Sequence, residues 1–253
     1  MRVLVTLYTP KNTRIPVNYK YNILAGIYSK LQSVNPQEAE RMHEKHKHDQ
    51  QGLFIKKLFT FSDIIAPCRY ENGFLYFKSN TAKILYCFYE NDMAELFIKG
   101  IFNNQSIRIG STVFGIDSVN ILPDKTYNST TLKLLSPVHL KKNSPDIYEP
   151  SIFISPTDND FCYLIRERLK SKYIYLNGYD KADDVFENVH IEKSISKIYP
   201  RLYDIKGIQI KGYLGVDIKI HAPPDIIHIA LHSGIGQTNT NGFGCVIPEQ
   251  EII

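Results

Sequence analysis

A glycine-rich segment near the end of the chain has residue types that could bind phosphate groups. Four glycines are interspersed with amides and hydroxyls between residues 234 and 244, just before the apolar residues Cys245-Val246-Ile247. Because glycine has no side chain, consecutive backbone N–H groups can face a polyanion at such a segment. The segment therefore predicts a phosphate-contacting loop. Its candidate contact residues are Gly234, Gly236, Asn239, Asn241, Gly242, Phe243 and Gly244.

The spacing of these glycines differs from that of two common phosphate-binding motifs. A P-loop needs a Lys-Ser/Thr pair after its last glycine, which is absent here. A dinucleotide fingerprint needs a strand, a helix and a distant acidic residue in a fixed order, and these do not follow here. A tight turn between a helix and a terminal strand is the alternative interpretation.

A histidine cluster at residues 43–48 could in principle coordinate a metal. Its sequence His43-Glu44-Lys45-His46 is one residue short of the H-E-x-x-H motif, and a helix would splay His43, His46 and His48 apart. We therefore predict no metal and no other cofactor.

Composition indicates a globular protein of one large domain or two of ordinary size. The chain has 253 residues, of which 43% are hydrophobic and 12% aromatic. The 30 Lys and Arg against 26 Asp and Glu give a net charge of +4, which permits a nucleic-acid partner without requiring one. No secretion signal and no apolar run of roughly 18 residues is present, so the prediction is a cytoplasmic protein without a membrane partner. The cysteines are scattered, which argues against structural zinc and a disulfide framework: Cys68, Cys87, Cys162 and Cys245.

Hydrophobic periodicity predicts a βαββαβ order in the first half of the chain. Alternation predicts a strand at residues 1–8, and Leu24, Ile27, Tyr28 and Leu31 have the spacing of a buried helix face. A short polar helix or loop follows at residues 36–48. The remaining predicted elements are strands at 57–66 and 73–78, a helix at 91–102 and further strand at 106–121.

The same order of elements returns after the turn-rich residues 123–129. Strands are predicted at 131–140, 190–198 and 205–220, helices at 158–173 and 225–232, and a last strand after the glycine-rich segment. The predicted fold class is α+β, with tandem ferredoxin-like (βαββαβ) domains at residues 1–125 and 126–253. RNA-recognition modules commonly present such a sheet to RNA.

Basic residues outside the glycine-rich segment offer a further set of candidate phosphate contacts. Lys141-Lys142 follows the first strand of the second half, and four more basic residues lie on its first helix. We favour a solvated face for the helix over contact with phosphates. The helix residues are Arg166, Arg168, Lys170 and Lys172.

The order of several short motifs resembles a known family. The motifs are Pro16-Val17-Asn18-Tyr19-Lys20-Tyr21 leading into Ile27-Tyr28, His43-Glu44, Leu135-Ser136-Pro137 and the glycine-rich segment. Over essentially its whole length the chain resembles the CRISPR repeat-cleaving endoribonucleases of the RAMP superfamily. The glycine-rich segment also occurs in non-nucleolytic relatives, whereas the N-terminal motifs point to the repeat-cleaving enzymes.

The resemblance implies both an activity and a set of site residues. The family cuts CRISPR precursor RNA within each repeat without a metal, by attack of a ribose 2′-hydroxyl on the adjacent phosphate. The products carry a 2′,3′-cyclic phosphate and a 5′-hydroxyl. By the family pattern Tyr28, His43 and Lys57 take the tyrosine, histidine and lysine places, and the glycine-rich segment contacts the RNA.

The resemblance leaves several alternatives open. Lys56 competes with Lys57, and His46 or His48 could serve in place of His43. From periodicity alone Tyr28 would be a core residue, and the lysine pair would be solvated. The alternative function is that of a non-nucleolytic RAMP protein that binds repeat RNA as a structural subunit. The predicted partner is CRISPR repeat RNA, and other effector subunits or a homodimer stay open.

Overall fold

The computed structural model describes residues 1–10, 12–43, 57–142, 151–251 and 253, with the side chains of residues 41–43 outside that description. Among these described residues, the first half of the chain has eight strands and three helices. In chain order they are β1 (Arg2–Tyr8), β2 (Arg14–Pro16), α1 (Lys20–Gln32), α2 (Pro36–His43), β3 (Phe59–Phe61), β4 (Cys68–Glu71), β5 (Phe74–Phe77), β6 (Thr81–Phe88), α3 (Asn91–Asn103), β7 (Ser106–Ile109) and β8 (Thr112–Leu122).

The second half has a similar succession of elements. They are β9 (Ser129–Leu134), β10 (Lys141–Lys142), β11 (Ile152–Phe153), α4 (Asp160–Asn177), α5 (Ala182–Glu187), β12 (His190–Ile205), β13 (Ile208–His221), α6 (Pro224–Ser233), a 3-10 helix (Asn239–Asn241) and β14 (Val246–Pro248).

Both halves contain the same antiparallel sheet. The first sheet has the order β3-β6-β1-β8-β7 and the second the order β12-β13-β9-β14. Each sheet contains the four strands of a βαββαβ unit. If these strands are numbered along the chain, they lie side by side in the order 2-3-1-4, and neighbouring strands are antiparallel. This is a ferredoxin-like arrangement, so the predicted fold class is confirmed. The domain boundary at 125/126 falls between β8 and β9 and stays a proposal.

Each sheet is covered by helices on one face, where the main cores lie. In the first half, Ile23, Ile27 and Leu31 of α1 pack with Phe97 of α3 against β1 and β6. In the second half, residues of α4 and α6 pack against β9 and β13. Smaller buried clusters join the halves, one of them containing Leu85 and Cys245. The glycine-rich segment follows α6 directly and so begins at a fixed point of the second core.

Several element boundaries differ from the sequence prediction. The strand predicted at 57–66 is limited to β3, and the stretch 106–121 forms a hairpin of two strands, β7 and β8. The prediction contains no strand at residues 81–88, where β6 is an inner strand of the first sheet, between β3 and β1. This strand is buried on both faces over most of its length, which removes the alternation that marks a half-buried strand.

The described residues also bear on disulfide bonds and on membrane-spanning helices. Among the described residues all four cysteines are free, and Cys87 and Cys245 are buried. None of the described helices combines the length and apolar character needed to cross a bilayer.

Candidate functional site

Two of the three predicted site residues are in contact. Tyr28 lies half-buried on α1, and Lys57 precedes β3 by two residues. The Lys57 ammonium donates a hydrogen bond of 3.0 Å to the Tyr28 hydroxyl and lies 5.3 Å from the centre of the ring. The fold therefore brings together a phenol and an amine that are 29 positions apart in sequence.

Burial changes the acidity of both groups. It raises the pKa of Tyr28 to about 12, because desolvation disfavours the phenolate. It lowers the pKa of Lys57, because desolvation also disfavours the ammonium ion. Near neutral pH the phenol of Tyr28 thus keeps its proton and can donate a hydrogen bond.

A cavity of about 260 Å³ places Lys57 opposite the glycine-rich segment. Lys57 and Leu58 form one wall, and residues 236–240 form another. Arg168, Ser171 and Lys172 of α4 complete it. The cavity therefore joins the predicted lysine of the first half to the predicted phosphate-binding loop of the second.

The loop glycines have backbone conformations that other residues rarely adopt. Gly234, Gly236, Gly242 and Gly244 all have φ between +67° and +79°. A Cβ atom on Gly242 would lie 2.2 Å from the Phe61 ring, and one on Gly244 would lie 1.9 Å from the Ile235 carbonyl oxygen. A Cβ on Gly234 or Gly236 would also come within 3.0 Å of other atoms, so close packing as well as φ favours glycine at all four positions.

Most of the predicted contact residues in this loop are buried. Asn239 donates hydrogen bonds to the carbonyls of Ile235 (2.8 Å) and Phe243 (2.9 Å), and the Phe243 side chain is fully buried. Asn241 is half-buried, whereas Gly234, Gly236, Gly242 and Gly244 are buried. The assignment of the seven residues to RNA contact stays a prediction. The geometry favours contact at the part of the loop that lines the cavity, residues 236–240.

Unused backbone donors occur in that part of the loop. Gln237 donates its N–H to the His139 carbonyl at 2.9 Å. Within the described part of the chain, the N–H groups of Gly236, Thr238, Asn239 and Thr240 donate no hydrogen bond to protein. Since an anion bound in the cavity could accept from such donors, residues 236–240 are the best candidate for phosphate contact.

Arg168 adds a cation to the same cavity. Its side chain is half-buried, and its Nε atom is buried without a hydrogen-bond partner among the described residues. The sequence analysis included Arg168 in a basic row but favoured solvation for that row. Arg168 lies three residues after Ile165 and directly before Leu169, and both of these residues are buried. This spacing indicates that Arg168 borders the buried face of α4.

Lys172 corrects the prediction of a solvated basic face on α4. The residue is buried, and its ammonium donates to the carbonyls of Ser233 (2.9 Å) and Gly234 (2.7 Å) and to Asn239 Oδ1 (2.8 Å). It lies three residues after the buried Leu169, so the apolar face of the helix continues through its aliphatic stem. Lys172 therefore fixes the shape of the loop.

A second buried lysine reaches the loop from the first half. The Lys20 ammonium bonds to Asp63 and, at 2.7 Å, to the Gly242 carbonyl. Thr60 of β3 also donates to the Phe243 carbonyl at 3.1 Å. Residues from both sheets thus hold the loop in place.

The remaining predicted site residues are described only in part. His43 is the last residue of α2, a helix that buries Ala39 in the first core. The side chain of His43 lies outside the described residues, as do His46, His48 and Lys56. The choice among these histidines and between the two lysines stays a prediction.

Two family models together match most of the chain. The model described as CRISPR-associated protein Cas6, N-terminal, matches residues 14–120. The model described as CRISPR associated protein Cas6, C-terminal, matches residues 121–247.

Individual relatives are similar over nearly the whole chain. The CRISPR-associated endoribonuclease Cas6 1 of Methanocaldococcus jannaschii is 27% identical, over 98% of this chain and 92% of its own. A solved structure of a CRISPR associated protein Cas6 is 26% identical with a TM-score of 0.77, and 99% of each chain is covered. A Cas6-related protein from Pyrococcus furiosus is 19% identical with a TM-score of 0.82, over 100% of this chain and 99% of its own. The last likeness concerns the fold alone.

Proposed function

Because the chain belongs to the Cas6 family of CRISPR-associated proteins, we propose that it is an endoribonuclease that cleaves CRISPR precursor RNA within the repeats. The relative from M. jannaschii is named as an endoribonuclease. The observation that carries the proposal is the contact between Lys57 and Tyr28 at the edge of the loop cavity.

The proposed reaction is a transesterification within the RNA. The ribose 2′-oxygen forms a bond to the adjacent phosphorus while the bond from phosphorus to the 5′-oxygen breaks. The 2′-hydroxyl proton passes to a base, and the departing 5′-oxygen takes a proton from an acid. The products are a 2′,3′-cyclic phosphate and a 5′-hydroxyl, and no metal takes part.

Tyr28 is proposed to orient the attacking hydroxyl. Its raised pKa, about 12, argues against a role as base, since the phenolate would be scarce at neutral pH. Its hydroxyl oxygen accepts the hydrogen bond from Lys57, and a neutral phenol is itself able to donate a hydrogen bond to a ribose or phosphate oxygen.

Lys57 is proposed to stabilise the negative charge of the pentavalent phosphorane. The ammonium borders the cavity, which Arg168 also lines, together with Gly236, Thr238, Asn239 and Thr240, whose N–H groups donate to no described residue. Preorganised donors around a developing anion are the usual source of such stabilisation. The scissile phosphate is accordingly proposed to lie at the Lys57 side of this cavity.

His43 is proposed as the proton-transfer group. An unperturbed imidazole titrates near pH 6.5 and can both accept and donate a proton near neutrality. The helix α2 that ends at His43 directly follows α1, which carries Tyr28.

The test is cleavage of end-labelled repeat RNA from the same genome in the presence of EDTA. One RNA is unmodified, and a second carries 2′-deoxyribose at the nucleotide before the cut. We expect cleavage of the first, with a cyclic phosphate on the upstream product, and protection of the second.

Two other outcomes would contradict the proposal. Cleavage of both RNAs would exclude the 2′-hydroxyl as nucleophile. Tight binding without cleavage of either would instead support a non-nucleolytic repeat-binding subunit.

A further inference from the structure

Three potential metal ligands meet outside the proposed cleavage site. His228 and His232 lie one turn apart on α6, and Asp124 follows β8 by two residues. One ligand atom from each of them lies within 4.8 Å of the other two. The imidazole rings of the two histidines are stacked with their centres 3.9 Å apart.

The hydrogen bonds of His232 fix the direction in which each ring nitrogen points. Its Nδ1 lies 2.9 Å from the His228 carbonyl oxygen, which can only accept, so Nδ1 must carry the proton. In the neutral ring Nε2 is then an acceptor as well, yet it lies 2.8 Å from Asp124 Oδ1. Two acceptors at this distance repel each other unless a positive charge bridges them.

The hydrogen bond to the His228 carbonyl holds the His232 ring with Nε2 toward the Asp124 carboxylate. A carbonyl that holds Nδ1–H while Nε2 faces outward is also the arrangement that orients metal-bound histidines.

We infer that Asp124, His228 and His232 form a binding site for a divalent transition-metal ion, with Zn²⁺ as the best fit to two imidazoles and one carboxylate. Bonds of about 2.0–2.2 Å at a tetrahedral angle require nitrogen and oxygen ligands about 3.3 Å apart. The Asp124 side chain is 50% exposed and can shift by the small amount required. The fourth position is left to water.

Two cations face this site, and both are engaged elsewhere. The Met1 amino group donates to the Phe88 carbonyl at 2.7 Å and to Asn91 Oδ1 at 3.2 Å. The Arg2 guanidinium forms hydrogen bonds of 2.7 and 3.1 Å with Glu251 and approaches Asp124 only to 3.9 Å. Neither cation lies in hydrogen-bond contact with the ligand atoms, although their charge will weaken the binding of an ion.

The ion would have a structural role. It would tie the segment between the two sheets to α6, whose last residue, Ser233, leads directly to Gly234 of the loop. None of its ligands is among the residues proposed around the phosphate, so cleavage is expected to continue in EDTA while stability changes.

The test uses untagged full-length protein that has been treated with EDTA and returned to chelator-free buffer. Co²⁺ is added as a spectroscopic probe, and the melting temperature is measured with and without Zn²⁺. We expect one Co²⁺ per chain, visible d–d absorption of a four- or five-coordinate ion, its displacement by Zn²⁺, and a rise in melting temperature of about 5 °C or more.

Two variants separate this site from binding elsewhere. Asp124→Asn removes a ligand, but its amide can donate to His232 Nε2, so the folded protein should persist without responding to metal. His228→Gln should also abolish the response. His221→Gln is the matched control, because His221 is an exposed histidine that stacks on His190 and is not a member of the cluster.

Each outcome bears on the assignment. Loss of the Co²⁺ spectrum and of the thermal shift in the first two variants, with retention in the third, would support it. Absence of Co²⁺ binding by the unaltered protein, or retention of binding in both cluster variants, would overturn it. The cleavage assay in EDTA is read separately, so failure of this inference would leave the proposed nuclease activity untouched.

Discussion

The Lys172 ammonium and the Asn239 side-chain oxygen meet 2.8 Å apart beneath the glycine-rich loop. The same ammonium bonds to the carbonyls of Ser233 and Gly234, and Asn239 bonds in turn to Ile235 and Phe243. Through this pair the side chains of α4 determine the path of the loop backbone. The sequence analysis predicted a solvated Lys172, but its buried ammonium instead stabilises the loop.

Replacement of Lys172 by methionine should destabilise the fold. The substitution keeps an apolar stem but leaves several buried acceptors without a donor, so the free energy of unfolding should fall by about 3 kcal/mol. Urea denaturation measures this. Lys170→Met is the control, because Lys170 bonds to the exposed Asp183 and should cost under about 1 kcal/mol. Equal effects of the two substitutions would contradict the role of Lys172.

Replacement of Tyr28 by phenylalanine should slow cleavage while sparing the binding of RNA. The ring and its packing remain, but the hydroxyl that bonds to Lys57 is lost. We expect the single-turnover rate to fall about 100-fold, within the range for the loss of one positioned hydrogen-bond donor. Tyr70→Phe is the control, since Tyr70 is 68% exposed. A normal rate in the Tyr28 variant would remove this residue from the site.

Replacement of His43 by alanine should abolish proton transfer. Loss of a general acid or base lowers the rate by about 10²–10⁴-fold, whereas the affinity for the repeat should be unchanged. The neighbouring variants His46→Ala and His48→Ala are measured in the same single-turnover assay. If one of those two loses activity and the His43 variant does not, the assignment passes to that histidine.

Replacement of Gly242 by alanine should be far more harmful than the same change at Gly73. Both glycines have nearly the same φ, +78° and +79°, so both variants carry the strain of a left-handed alanine. Only at Gly242 would the Cβ meet the Phe61 ring, while Gly73 has nothing within 4 Å. The difference in unfolding free energy should be about 2 kcal/mol or more by denaturant titration. Equal losses of unfolding free energy in the two variants would mean that the loop shifts to accommodate the Cβ atom at little cost.

Acid should destabilise the protein partly through His139. This buried ring donates from Nδ1 to the Lys211 carbonyl at 2.7 Å, and burial lowers its pKa below the ordinary value. The unfolded chain therefore binds a proton more readily, so stability is present above about pH 6.5 and is lost as the pH falls through the lower folded value. Melting temperatures from pH 7 to pH 5 should fall less steeply in His139→Gln. Parallel curves would contradict the prediction.

The sequence predicted the fold well because both halves follow the same hydrophobic pattern. It missed β6 because that strand is buried on both sides, by α3 on one face and by residues such as Cys245 on the other. Its pattern is therefore a continuous apolar run, which alternation cannot detect. The fold class could still be predicted from the remaining strands.

The candidate site was predictable only where local spacing carries information. Periodicity predicted that Tyr28 faces the core, and the residue packs partly buried against it while its hydroxyl contacts Lys57. The buried lysines could not be predicted in the same way, because the carbonyls they bind are distant in sequence. Lys172 reaches Gly234 across 62 positions, and Lys20 reaches Gly242 across 222.

The attachment of Lys20 to the loop makes the two halves of the chain thermodynamically linked. An anion that binds the loop acts on a structure whose carbonyls are shared with α1 of the opposite half. Such a ligand favours the state in which the halves are docked, because only that state presents the complete cavity. Bound RNA would in this way stabilise the docking of the two halves, and release of the RNA would weaken the contact between them.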